Sequence, residues 1–355
     1  MKKFNTMMMS GLLAMGMTAP VFADESVPTV GNATDENSVQ VSVTKDLEFA
    51  EGLAVPETTI NFKAEKVTAD APDATIAPIT YTAADNKGTA TGNKYTVSKT
   101  SAINFKEFTH AGEYEYNVSE EKGTFTGMTY SPDVYHVRVQ VANKKNGGLY
   151  VKTVTAEKNT SNGTASNKTA AIKFTNTYRK NASLTVQKKT EGTLADKTKK
   201  FEFTIVLEKS STESTETPVY TGKIGEQQVQ VTAGQPTKFS LSDGEKLVFD
   251  ALPAGTKFTV TETGAKDGYT PSVTVTANGV KGQTVTAPEA DSLQSGKDGN
   301  FVGENTNDVT FINTYNEVPV TGIIMNNLPF VMMAGVAVVA FALLAVAKKK
   351  HAHNN

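Results

Sequence analysis

The sequence predicts an all-β protein built from two sandwich units in tandem, and three observations carry that expectation. Apolar and polar residues alternate over short stretches with the two-residue period of half-buried strands. Val41, Val43 and Leu47 fall on one parity, and Ser42, Thr44, Asp46 and Glu48 on the other. Turn-forming clusters such as Asp85-Asn86-Lys87-Gly88 and Lys145-Asn146-Gly147-Gly148 punctuate these stretches. No long amphipathic helical pattern interrupts them, and the alternation pauses around Arg179 to Ala182 before restarting at Leu184 and Val186. A chain of 355 residues has room for about two such domains.

Composition narrows the function. The formal charge is −2 and the pI about 6.2, with lysines scattered among acids, so nucleic acid is not an expected partner. Cysteine is absent, which removes disulfides as a source of stability. No Ser/His/Asp arrangement is visible. Of the four histidines, His351 and His353 lie in the C-terminal tail, and His110 and His136 form no obvious metal cluster. A free-standing enzyme, a metal and a cofactor are therefore not expected.

Taken in order, residues 1–23 read as a secretory signal peptide. Lys2 and Lys3 form its positive start, residues 7–17 its apolar core, and Val21-Phe22-Ala23 a small-x-small cleavage site. Residues 24–37 are polar and read as a flexible leader. The first unit, 38–180, has strand patterns at Val39 to Glu48, Thr58-Ile60-Phe62, Tyr114-Tyr116-Val118, Tyr135-Val137-Val139 and Ile172-Phe174. The second, 181–316, has them at Leu184-Val186-Lys188, Phe201-Phe203-Ile205, Val229-Val231, Phe239-Leu241, Leu247-Phe249, Phe258-Val260 and Val309-Phe311.

Residues 317–355 have a different logic. Val318-Pro319-Val320-Thr321-Gly322 precedes an uncharged run from Leu328 to Ala347, then Lys348-Lys349-Lys350 and a polar tail. The run is about long enough to cross a hydrocarbon core as a helix, and the lysines hold its end on the cytoplasmic side. A bare transmembrane anchor would explain run and lysines, but it does not need Pro-x-Thr-Gly just upstream. This layout resembles the sorting signal read by sortases, transpeptidases that cut between Thr and Gly and pass the threonyl carbonyl to an amine. Val318 stands where Leu is usual, and with Glu317 before it the motif is similar to what pilus-polymerising sortases read.

Comparing the two units exposes a repeat that carries chemistry. Val-x-Lys recurs as Val43-Thr44-Lys45 and Val186-Gln187-Lys188. Aromatic-x-Val-(Ser/Thr)-Glu recurs as Tyr116 to Glu120 and Phe258 to Glu262, and Phe-x-Asn-Thr as Phe174 to Thr177 and Phe311 to Thr314. The Lys-to-Glu separations are 75 and 74 residues, and the Lys-to-Asn separations 131 and 125. Each polar residue sits two positions beyond an apolar one, so a strand points it to the buried face. Buried Lys and Glu are costly unless paired. One reading is a satisfied ion pair with an Asn beside it. The joint repeat, in a secreted chain without cysteine, suggests covalent cross-linking.

In that chemistry a neutral lysine amine attacks the asparagine side-chain carbonyl, releases ammonia and leaves an isopeptide bond. Desolvation lowers the lysine pKa and raises the glutamate pKa. A protonated Glu120 or Glu262 is expected to hydrogen-bond the Asn carbonyl oxygen, stabilise the oxyanion and shuttle protons to the ammonia.

With these motifs in hand, the chain resembles the major backbone pilins of Gram-positive bacteria, especially the streptococcal T-antigen type with its pilin isopeptide-linkage domains. The resemblance implies Ig-like (CnaB-like) sandwiches. It implies bonds from Lys45 to Asn176 with Glu120 and from Lys188 to Asn313 with Glu262. It also implies a lysine near the end of the first domain that receives Thr321 of the next subunit. Lys168 matches best, with Lys158 and Lys173 as neighbours that compete. The implied function is a shaft subunit of a covalently polymerised pilus on the cell wall, held in the membrane before sorting. Its implied partners are a pilus sortase, identical subunits, minor pilins, peptidoglycan and a host cell surface. The alternative is a monomeric wall-anchored adhesin that grips a host ligand through loops such as 294–307.

Overall fold

The computed structural model describes residues 29–316 apart from 35, 160–166, 267, 289 and 297–299. The expected signal peptide, sorting motif and anchor lie outside the described residues. Every regular element within them is a β-strand, and no helix there is long and apolar enough to cross a membrane.

Two facing sheets form the N-terminal half. One runs in the order Thr29–Asn32, Leu149–Asn159, Val134–Asn143, Gly112–Glu120 and Phe62–Lys66, with Asn167–Thr169 also on the Leu149–Asn159 strand. The other runs Ala74–Ile76, Lys94–Phe105, Ser42–Ala50, Ile172–Tyr178 and Met128–Thr129. Their inward residues, among them Tyr114, Tyr116, Val137 and Val154 against Val43, Leu47, Phe49 and Phe174, make one apolar core. The C-terminal half repeats the plan. Its larger sheet contains Lys246–Pro253, Asn181–Glu191, Asp308–Tyr315 and Tyr269–Ala277 side by side, facing a smaller sheet of Thr237–Leu241, Phe201–Glu208, Lys257–Thr263 and Ser292–Gln294. Leu184, Val186, Phe203, Leu207, Phe249 and Phe311 fill its core.

In each half the first long strand of the core and the last strand are neighbours and run parallel. Ser42–Ala50 pairs with Ile172–Tyr178, and Asn181–Glu191 pairs with Asp308–Tyr315. Parallel neighbours cannot be joined by a tight turn. The rest of each half is therefore the crossover between them, and residues far apart in sequence come together on one ladder.

The leader departs from expectation. Thr29–Asn32 is a strand on the edge of Leu149–Asn159, extended by Ala33 N–H donating to the Lys152 carbonyl. Gly31 lies so close to Val39 that a side chain would not fit. Backbone hydrogen bonds hold this strand, and such bonds leave no alternation in the sequence. Between the halves, Glu304 accepts from Ala54 N–H at 3.1 Å and from Lys180 Nζ at 3.1 Å, while its own N–H donates to the Gly52 carbonyl.

Two buried lysine–glutamate–asparagine clusters

Strand geometry explains how each cluster assembles. Lys45 sits on Ser42–Ala50 with Phe174 as its register partner, and Asn176 lies two residues further along the neighbouring strand, opposite Leu47. Lys188 likewise faces Phe311, and Asn313 lies two residues on, opposite Thr190. A two-residue step keeps the side chain on the same face. Lys and Asn therefore enter the core together as diagonal neighbours. The glutamates come from the opposite sheets, Glu120 ending Gly112–Glu120 and Glu262 within Lys257–Thr263.

In the first cluster the side chains of Lys45 and Glu120 are fully buried, as is Asn176. Lys45 Nζ is 2.8 Å from Glu120 Oε2, an ion contact without hydrogen-bond alignment. Asn176 Nδ2 donates to the other carboxylate oxygen, Oε1, at 2.5 Å. Asn176 Oδ1 accepts from the backbone N–H of Ser131 at 2.8 Å. Burial lowers the Lys45 pKa, although Glu120, Asp46 and Asp133 pull the other way. The strand backbone is pinned from behind, since the Tyr81 hydroxyl donates to the Lys45 carbonyl at 2.7 Å.

The second cluster is as deep but wired differently. Lys188 Nζ lies 2.8 Å from Glu262 Oε1, and the same oxygen accepts from Asn313 Nδ2 at 2.8 Å. Glu262 Oε2 and Asn313 Oδ1 are buried without a hydrogen-bond partner. The Phe201 ring centroid is 4.2 Å from Lys188 Nζ. Burial brings the Lys188 pKa down to about 8 against the pull of Glu262, and burial raises the Glu262 pKa. Both shifts favour the neutral pair, the state in which the amine carries a lone pair.

The expectation that each glutamate would bond the asparagine carbonyl oxygen is not met. In both clusters it takes the amide nitrogen. The cause in the first is Ser131: only an oxygen can accept from its N–H, which turns Nδ2 toward the carboxylate. The glutamate is thus placed at the amide nitrogen in both clusters, while the oxygen is served by Ser131 in the first and by no partner in the second. Sequence reasoning missed Ser131, which acts through its backbone, and Phe201, whose position opposite Lys188 depends on sheet packing. It also missed Asp46, buried on the supposedly polar parity and held by Ser98 Oγ and Lys173 Nζ, each at 2.6 Å.

Of the three lysines near the end of the first unit, two are engaged. Lys158 pairs with Asp133 at 2.8 Å and Lys173 with Asp46 at 2.6 Å, and these partners raise both pKa values. Lys168 is exposed on the edge strand Asn167–Thr169, in register with Glu157. It makes no ion pair among the described residues.

Residues 41–179 match the family described as a Spy0128-like isopeptide containing domain (FctA), and residues 182–315 match a domain of unknown function (DUF7601). A pilin of Streptococcus pyogenes serotype M1 is 30% identical over 363 aligned positions, covering 94% of this chain and 97% of the relative. The chain belongs to the pilin family. This pilin is a structural subunit of a pilus. A pilus tip adhesin, Cpa, of Streptococcus pyogenes is 45% identical over 84 residues, 24% of this pilin and 12% of the adhesin. Among solved structures, the major pilin protein (T3.2) of Streptococcus pyogenes is 24% identical, covering 79% of this chain and 99% of its own, with a TM-score of 0.37. A second major pilin structure from that species is 26% identical at the same coverage, with a TM-score of 0.36.

Proposed function

We propose that this pilin is a shaft subunit whose two Ig-like (CnaB-like) domains, 38–180 and 181–316, each close an intramolecular Lys–Asn isopeptide bond. The observation that carries this reading is the same Lys–Glu–Asn cluster buried twice, at the same diagonal of the same parallel ladder. In each, Glu120 or Glu262 takes one proton from the lysine ammonium, and Nζ attacks the asparagine Cγ. The glutamate returns that proton to Nδ2, the Cγ–Nδ2 bond breaks, and the nitrogen leaves as ammonia. The surplus proton on Nζ passes to the glutamate, leaving a neutral amide. Strand placement supplies proximity, which can contribute roughly 7 to 11 kcal/mol.

After removal of residues 1–23, the segment 317–355 holds the chain in the membrane. A pilus sortase then cuts between Thr321 and Gly322 and joins Thr321 to Lys168 of the next subunit. The engagement of Lys158 and Lys173 in ion pairs supports Lys168 as the free amine. The finished pilus is anchored to peptidoglycan with minor pilins and presented to the host surface. The monomeric adhesin reading draws on the tip-adhesin similarity, which covers about a quarter of the chain, whereas the pilin similarity covers nearly all of it.

The intact mass of residues 24–321 tests the bonds. The expected result is a deficit of two ammonia molecules, mapping to Lys45–Asn176 and Lys188–Asn313. An undiminished mass would reduce both clusters to buried ion pairs.

A further inference from the structure

The two clusters differ at the atom where negative charge develops. When Nζ adds to Cγ, an electron pair moves onto the asparagine Oδ1, and that oxygen needs a donor. Asn176 has one, the Ser131 N–H. Asn313 Oδ1 has none, and it is fully buried. Among the described residues a second orphan sits beside it: Thr190, 1% exposed, whose Oγ1 is also buried without a partner.

Thr190 and Asn313 are register partners on parallel strands, which lie about 4.8 Å apart. Both side chains face the core. The corresponding partner of Asn176 is Leu47, which has nothing to donate. A backbone N–H thus serves Asn176 in the first domain, and in the second the register places a side-chain hydroxyl next to Asn313. Thr190 is also held firmly by its main chain. Its N–H donates to Asp243 Oδ1 at 2.6 Å, and its carbonyl accepts from Lys197 Nζ. Only the hydroxyl is left free to turn between staggered positions about χ1.

We propose that the Thr190 hydroxyl is the oxyanion donor of the second domain, a catalytic residue for closure of the Lys188–Asn313 bond. The inference rests on the isopeptide reading above. The hydroxyl donates a hydrogen bond to Oδ1 as Nζ adds and keeps its proton throughout. As the oxyanion collapses, Cγ–Nδ2 breaks and ammonia leaves with the hydrogen delivered by Glu262. The buried Oγ1 and Oδ1 satisfy one another as the reaction proceeds.

The test uses residues 24–321, which contain every strand of both domains, synthesised cell-free and quenched in acid at intervals. Peptide mapping then gives the cross-linked fraction of each domain separately. Thr190→Val, which keeps the shape and removes the hydroxyl, is expected to slow the Lys188–Asn313 bond by about a hundredfold, the usual effect of removing one oxyanion donor. Thr190→Ser is expected to close it at close to the wild-type rate. The Lys45–Asn176 bond in the same molecules serves as an internal clock and should not change. Equal rates for wild type and Thr190→Val would overturn the proposal while leaving the isopeptide reading intact. Equal slowing by Thr190→Ser would assign the effect to packing and overturn it as well. Absence of ammonia loss from both domains of the wild type would instead remove the reading on which it rests.

Discussion

Replacing Asn313 by Ala removes the acceptor of the proposed second cross-link and leaves the proposed first one untouched. Lys188 and Asn313 are 125 residues apart, and tying a loop of that length removes chain entropy worth about 5 kcal/mol from the unfolded state. A domain of this size melts with an entropy near ~0.28 kcal/mol/K, so the second domain should melt about 18 °C lower. Without a cross-link, the same substitution loses only the Asn313 hydrogen bond to Glu262. A hydrogen bond of that kind is worth about 1 to 2 kcal/mol, or roughly 4 to 7 °C. Scanning calorimetry of residues 24–321 separates the two cases, with the transition of the first domain as an unmoved reference. A fall of about 7 °C or less would refute the covalent account.

Closure of the second bond should also depend on pH in a bell shape. Below the raised Glu262 pKa both groups are protonated and Nζ has no lone pair; above about 8 neither retains the proton that the leaving nitrogen needs. The rate after a pH jump should therefore fall about tenfold per unit on the alkaline side, and a rate still climbing beyond about pH 9 would contradict the glutamate's role as proton carrier. Incubated with the pilus sortase, Lys168→Ala should form no covalent ladder on a denaturing gel, while Lys158→Ala and Lys173→Ala should polymerise as wild type does. Ladders from Lys168→Ala would move the acceptor elsewhere.

The parts of this site that were legible in the sequence are those set by side-chain parity. Lys45, Lys188, Glu120, Glu262, Asn176 and Asn313 all follow an apolar residue by two, and a strand turns that spacing into burial. Their recurrence in the same order at near-equal spacing linked them before any sheet was known. What was not legible acts through the backbone or across sheets. Ser131 contributes an N–H that any residue except proline carries. The Thr29–Asn32 strand is pinned by main-chain bonds and so left no alternation to read. Thr190 and Leu47 become meaningful only once the parallel register places them opposite Asn313 and Asn176.

The parallel ladder also determines how each domain meets a pulling force. In the second domain, tension between subunits would enter from the Lys168 side along Asn181–Glu191 and leave along Asp308–Tyr315 toward Thr321. Because these strands are adjacent and parallel, the two forces act at opposite ends of the pair and shear it. The seven registered pairs from Thr185–Asp308 to Glu191–Thr314 are then loaded together rather than unzipped in turn. A bond from Lys188 to Asn313 bridges the same two strands and lies directly in that path. The proposed Lys45 bond would tie Ser42–Ala50, which the path from Lys168 does not traverse. On this geometry the two proposed cross-links would divide the work: the second would carry the load between subunits, and the first would keep the domain that presents Lys168 folded.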